Sequence, residues 1–213
     1  MTKDKIDKIL KVLDKLYPKA HIALKHKNAF QLLVATILSA QCTDKRVNKV
    51  TPDLFKKYPK PESFAKAKLS DIEKLIYTTG FYRNKAKSIK CSSQAIMDNF
   101  HGKVPSTMRA LLTLRGVARK TANVVLSGYF GKAQGIVVDT HVIRLSFRLG
   151  FTKEKNPIKI EKDLMQKLNK NRWIEISYAL ILHGRQICKS QKPMCTKCGL
   201  SKLCPKNGVK KSA

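Results

Sequence analysis

Acidic residues are scarce in this sequence. Against 44 lysines and arginines stand only 14 aspartates and glutamates in 213 residues, a formal net charge of +30. A chain so unbalanced repels itself, which argues against a partnerless globule and points to a polyanion, either nucleic acid or an acidic membrane surface. Long apolar runs are also missing. The longest, Leu32 to Leu38 with its flanks, falls far short of the ~20 residues that span a bilayer. The N-terminus alternates charges (Lys3, Asp4, Lys5, Asp7, Lys8) where a secretory signal needs an uninterrupted apolar stretch. A cytoplasmic protein without membrane association is therefore expected, and there its six cysteines read as thiols or metal ligands rather than disulfides. No low-complexity linker and no repeat of fixed period interrupts the chain, whose length suits one domain or two small interleaved ones.

The basic charge is not spread evenly. From Asn99 to Lys153 the basic residues are Lys103, Arg109, Arg115, Arg119, Lys120, Lys132, Arg144, Arg148 and Lys153, and the only acid is Asp139. After Glu175 no acid follows, while Arg185, Lys189, Lys192, Lys197, Lys202, Lys206, Lys210 and Lys211 do. Two basic surfaces result, and contact with a phosphate backbone is the leading reading.

Apolar spacing is helical nearly everywhere, so the expected fold class is all-α. Ile6, Ile9, Leu10, Leu13, Leu16 and Tyr17 recur at three and four residues and predict a helix closed by Pro18. Phe30 to Gln41 reads as a central buried helix. Pro52 after Thr51 suggests a first turn, and Ser70-Asp71-Ile72-Glu73 reads as a capping box for a helix ending at Gly80. Arg83 to Phe100 continues the pattern, and Ser106 is placed to cap a helix through Leu114. Arg119 to Tyr129 makes another, Asp139 caps Thr140 to Leu149 with Gly150 as its stop, Asn156-Pro157 opens the next, and Trp173 to Ile187 is the last long one. Only Gly135 to Val138 looks strand-like.

Cys188, Cys195, Cys198 and Cys204 follow C-x6-C-x2-C-x5-C in a segment broken by Pro193, Gly199 and Pro205. Such a loop can fold four thiols around one centre. Four thiolates suit Zn²⁺ or an iron–sulfur cluster, and the spacing alone does not choose between them. The loop's lysines would be held at fixed places, which suits a phosphate clamp.

Leu111 to Ala122 reads as a helix, a tight turn at Gly116 and a second helix start. The free N–H groups of that second helix form an anion site, and Gly116 lets the turn approach a phosphate closely. Arg119 and Lys120 in its first turn oppose the helix dipole, a local cost that a bound anion offsets. A free lysine has a pKa near 10.4, so few are neutral nucleophiles at neutral pH; burial, nearby cations and a helix N-terminus all favour the amine, and all three are expected at Lys120. Asp139 is read first as an N-cap, a role compatible with a chemical one.

The runs LRGVARKTANVVL (114 to 126), VVDTH (137 to 141), LILHGRQIC (180 to 188) and the four-cysteine tail, with SAQCTDKRVNKV (39 to 50) and TTGFYRNKA (78 to 86), resemble the endonuclease III family. These are bifunctional DNA glycosylases of the helix-hairpin-helix superfamily, and the likeness covers nearly the whole chain in order. It implies two all-α lobes, a six-helix lobe (22 to 132) with the hairpin and a cluster lobe (1 to 21 plus 133 to 213), and a 4Fe-4S cluster on Cys188, Cys195, Cys198 and Cys204. It further implies a monomeric, nucleoid-associated enzyme that removes oxidised pyrimidines from duplex DNA and cleaves the abasic site. Lys120 would displace the base and form a Schiff base; Asp139 would assist. Gln41 and Phe81 match positions that fill or wedge the gap left by an extruded nucleotide. Arg115, Gly116, Val117, Ala118, Arg119, His141, Lys192 and Lys197 would contact DNA. Arg115 stands where the family usually has Pro, Ala118 where many members have Gly, and Cys42 where Ala is commoner. An adenine-mismatch glycosylase is the nearest rival, but that family lacks a lysine at position 120 and carries a further C-terminal domain. A non-enzymatic iron–sulfur DNA-binding regulator is the rival from another class, and would need neither Lys120 nor Asp139.

Overall fold

The computed structural model describes all 213 residues. The secondary structure is entirely helical: α1 (Lys3–Leu16), α2 (Ala29–Leu38), α3 (Asp44–Lys57), α4 (Pro61–Lys66), α5 (Leu69–Ile76), α6 (Tyr82–Phe100), α7 (Met108–Leu111), α8 (Arg119–Gly128), α9 (Thr140–Arg148), α10 (Pro157–Lys167) and α11 (Trp173–Gln186). Short 3₁₀ turns cover Tyr77–Thr79, Lys170–Arg172 and Cys195–Lys197. No helix is long and apolar enough to cross a membrane. The chain forms two compact units, one of Met1–His21 with Gly135–Ala213 and one of Ile22–Gln134.

The Ile22–Gln134 unit is built around α2. Asn28 starts that helix by accepting from the Gln31 N–H at 2.9 Å, and Phe30, Leu32, Leu33, Val34, Ile37 and Leu38 are all buried within it. A helix apolar on every side is stable only when neighbours cover every side; here α3, α6 and α8 do so. Burying each large aliphatic side chain contributes roughly 1.5–3 kcal/mol. The unit holds seven helices, of which α4 and α7 are short, at six and four residues.

Several boundaries differ from the sequence reading. Pro52 lies inside α3 and does not open a helix. Thr43 is the cap, its Oγ1 accepting from the Arg46 N–H at 3.3 Å; continuing past Pro52 keeps Val47, Thr51 and Leu54 on one buried face. Ser70 caps nothing: the Asp71 and Ile72 N–H groups bond the Lys68 carbonyl, and α5 ends at Ile76, followed by the 3₁₀ turn and Gly80. Ser106 is also not a cap. Thr107 caps α7 by accepting from the Ala110 N–H at 3.3 Å, while Ser106 accepts from the Lys132 Nζ through its hydroxyl (2.8 Å) and carbonyl (2.9 Å).

The other unit packs α1 and α9 against α11, with α10 against α9. Ile6, Ile9, Leu10 and Leu13 form the buried stripe of α1. The strand-like stretch Gly135 to Val138 forms no strand: Gly135 lies in a bend and the three residues after it have no regular structure. Its residues are buried, and the Val137 N–H donates to the Ser177 hydroxyl of α11 at 3.1 Å, so a side chain replaces the ladder bond that a strand would have made.

Candidate functional site

The α7–α8 hairpin is the clearest site in the Ile22–Gln134 unit. Leu114 and Val117 are buried and anchor the turn, and the Ser92 hydroxyl of α6 donates to the Arg115 carbonyl at 2.6 Å. Gly116 has φ +78, and a Cβ there would stand 2.8 Å from the Ser88 Cβ. Left-handed backbone costs an L residue about 1–2 kcal/mol and overpacking about 1–3. We therefore expect Gly116→Ala to lose about 2–5 kcal/mol in urea unfolding; native stability would show that Ser88 and the hairpin yield easily. Ala118, by contrast, sits at φ −88, so alanine there is unstrained.

Ala118 is the N-cap of α8 and offers no side-chain acceptor. The first-turn N–H groups and the positive end of the helix dipole are thus available to an external anion. Arg115, Gly116 and Ala118 are exposed around this end, and Arg119 is half-buried. Lys120 stands in the same first turn and is exposed. This corrects the expectation of burial: the helix N-terminus and the cationic neighbours are present, but desolvation is not supplied by this unit.

Gln41 does not lie in α2, which ends at Leu38. It is exposed in the following loop with φ 51. Phe81 is 63% exposed with φ 47, immediately before α6. The structure thus places both residues on surface loops of one unit in the same uncommon conformation.

In the other unit Asp139 caps α9. Its Oδ1 accepts from the N–H groups of His141 (2.8 Å) and Val142 (2.9 Å). One oxygen makes both cap bonds, so Oδ2 stays outside the cap. His141 is half-buried, its Nδ1 lying 3.0 Å from the Arg144 Nη2. Burial lowers the His141 pKa first, neighbouring arginines add to that, and Asp139 opposes it. Arg144 also donates to the carbonyls of Cys188 (3.0 Å) and Gly184 (2.9 Å). Gly184 is required there because a Cβ would come within 2.9 Å of the His141 Cβ.

All four tail cysteines line one apolar pocket of about 30 Å³, together with Leu145, Leu149, Ile187, Met194, Leu200 and Val209. The donor set fits a tetrathiolate-bound group. No side-chain carboxylate lines the pocket, and three of the sulfurs have nitrogen partners: Arg148 Nη1 donates to Cys188 Sγ at 3.3 Å, the Lys206 N–H to Cys204 Sγ at 3.3 Å, and His183 Nε2 lies 3.4 Å from Cys198 Sγ. Burial pushes the Cys198 and Cys204 thiols up, and the neighbouring thiols push further. No three His, Cys, Asp or Glu side chains are grouped as ligands of a single metal ion. Lys192 and Lys197 are exposed on this loop, Lys192 with φ 44.

Sequence reading missed the residues that hold the pocket. Arg148 is buried and donates to the carbonyls of Lys189 (2.6 Å) and Ser190 (2.8 Å). His183 is buried with its pKa lowered to about 4 by desolvation, and its Nδ1 lies 3.0 Å from the Tyr17 hydroxyl. The available signals were a histidine directly after the apolar run Leu180 to Leu182 and an arginine on the apolar face of α9. Nothing local marked Lys85, a buried lysine of α6.

A family model described as HhH-GPD superfamily base excision DNA repair protein matches residues 34–170. Endonuclease III of Synechocystis sp. is 53% identical over 203 residues, 95% of this chain and 93% of that protein. Endonuclease III of Bacillus subtilis is 46% identical over 196 residues, 90% and 89% of the two chains. Among solved structures, a non-covalent endonuclease III–DNA complex matches with a TM-score of 0.92 at 43% identity, covering 97% of this chain and 96% of that one. A trapped endonuclease III–DNA covalent intermediate gives the same TM-score and identity, with 97% of each chain covered.

Proposed function

From the premise that the chain belongs to the HhH-GPD superfamily of base excision DNA repair proteins, and within it to the endonuclease III family, we propose that it removes oxidised pyrimidines from duplex DNA and then cleaves the abasic site. The observation that carries this is the hairpin: a glycine turn, an uncapped α8 N-terminus and Lys120 in its first turn. Backbone N–H groups at that end bind a DNA phosphate without reading sequence, which suits an enzyme that must work anywhere on the duplex.

The target nucleotide leaves the base stack, since its glycosidic bond is otherwise out of reach. The Lys120 amine attacks C1′, the bond from C1′ to the base breaks, and the base departs with a proton. Opening of the sugar gives an imine between Lys120 Nζ and C1′. Loss of a C2′ proton then expels the 3′ phosphate by β-elimination. Asp139 assists as a carboxylate, orienting or accepting a nucleophile proton and opposing the developing sugar cation.

Cys188, Cys195, Cys198 and Cys204 would hold a 4Fe-4S cluster, which when bound ties the tail into one body. Lys192 and Lys197 are then presented as phosphate contacts at fixed places. Each such contact adds about 0.9 to the salt slope of binding. Lys192→Glu combined with Lys197→Glu is expected to flatten the slope by roughly two such steps in a titration against duplex DNA; an unchanged slope would place the loop away from DNA. The test of the chemistry itself is reductive trapping, in which the native chain becomes covalently attached to lesion-bearing DNA. Absence of that adduct would refute the lyase assignment.

A further inference from the structure

Gln41 and Phe81, the residues that match gap-filling positions, share a backbone state as well as exposure. Their φ values of 51 and 47 are left-handed without glycine, a conformation that persists where the surroundings enforce it. The two loops leave different elements, Gln41 following α2 and Phe81 following the Tyr77–Thr79 turn. What joins them is buried. Lys85, near the start of α6, is 5% exposed, and its Nζ donates to the Leu38 carbonyl at 2.8 Å and the Thr79 carbonyl at 2.8 Å. Leu38 is the last residue of α2 and Thr79 the last of the 3₁₀ turn, so both carbonyls are helix-end acceptors.

An ammonium at the negative end of α2 is electrostatically well placed, yet burying it has a desolvation cost. Burial accordingly pushes the Lys85 ammonium below the ordinary lysine range, with the neighbouring Cys42 opposing. Neither hydrogen bond goes to a carboxylate. The charge is directed at two main-chain oxygens belonging to the roots of the two loops, and a packing role alone would be met by Met or Leu.

We propose that Lys85 is a positioning residue that holds the Gln41 and Phe81 loops at one spacing, so that both side chains enter the duplex together as the damaged nucleotide leaves. The proposal rests on the glycosylase reading above. Without this pin each loop relaxes separately, and extrusion suffers while bond cleavage in an already accessible nucleotide does not.

The test compares two substrates: a duplex with one oxidised pyrimidine opposite 2-aminopurine, and a single-stranded oligonucleotide with an abasic site, which requires no extrusion. Lys85→Met, shown folded by its circular dichroism and melting curve, should lower the ratio of duplex to single-strand cleavage about tenfold and slow the 2-aminopurine signal in parallel. Lys85→Arg keeps donors but changes their reach, and should lower the ratio about threefold. Added to Gln41→Ala with Phe81→Ala, Lys85→Met should cost less than about a further twofold, since nothing remains to position. Equal loss on both substrates, a native ratio, or full additivity with the loop variants would each overturn the proposal. Should Lys85→Met fail to fold, the Lys85→Arg ratio decides alone, and a native value overturns it. A native protein that cleaves neither substrate would sink the functional reading and this proposal with it.

Discussion

Lys120→Ala should give no covalent adduct when mixed with borohydride and duplex DNA carrying an oxidised pyrimidine, whereas the native chain is trapped. The expected loss of cleavage is at least about 10³-fold, on the order of 4 kcal/mol of transition-state stabilisation. Alanine suits the α8 first turn, so folding and phosphate binding at the hairpin should persist and the defect should be chemical. Asp139→Asn separates the two roles of the acid. Its amide oxygen can still accept the cap bonds that Oδ1 makes with His141 and Val142, so the melting temperature should stay close to native while cleavage falls. An adduct in Lys120→Ala would move the nucleophile elsewhere. Full activity in Asp139→Asn would reduce that residue to a cap.

Arg148→Met should release the cysteine loop. The guanidinium is buried and bonds the carbonyls of Lys189 and Ser190 and the sulfur of Cys188. The Arg148 carbonyl in turn accepts from Cys204 Sγ and the Asn207 N–H, each at 3.3 Å. Methionine fills similar volume but donates nothing, and each hydrogen bond lost from the charged guanidinium costs about 1.5–3 kcal/mol. The expected result is a protein destabilised by roughly 3 kcal/mol or more in urea, with the broad visible absorption of an iron–sulfur protein bleached on standing. Its DNA affinity should fall because Lys192 and Lys197 lose their fixed places. Retained colour and stability would show that the thiols alone hold the loop. Native protein that is colourless with stoichiometric zinc would refute the cluster assignment outright.

These two tests probe different kinds of legibility. Lys120 is readable from neighbours a few residues away, because Gly116 and the helix start that follows are local features. Arg148 is not, because its partners are about forty residues further along the chain. The same division explains the misplaced helix starts. Ser70, Ser106 and Pro52 carry strong local preferences, each worth about 1–3 kcal/mol. Burial of Ile72, Leu111 and Leu54 on one side of their helices set the boundaries instead.

What the sequence determined by itself is everything written at spacings of three, four or a fixed motif: the helical class, the glycine hairpin with Lys120, the Asp139 cap and the four clustered cysteines. Such patterns survive in one dimension because the chemistry they encode is between near neighbours. Tertiary structure alone decided which residues are held and which are presented. It exposed Lys120, moved Gln41 out of its helix into a left-handed loop, and put His183 and Arg148 against the cysteines. It also buried Lys85 against Leu38, forty-seven positions away. A charge inside a helix pattern reads as solvated surface until the fold shows which distant carbonyls it was placed to meet.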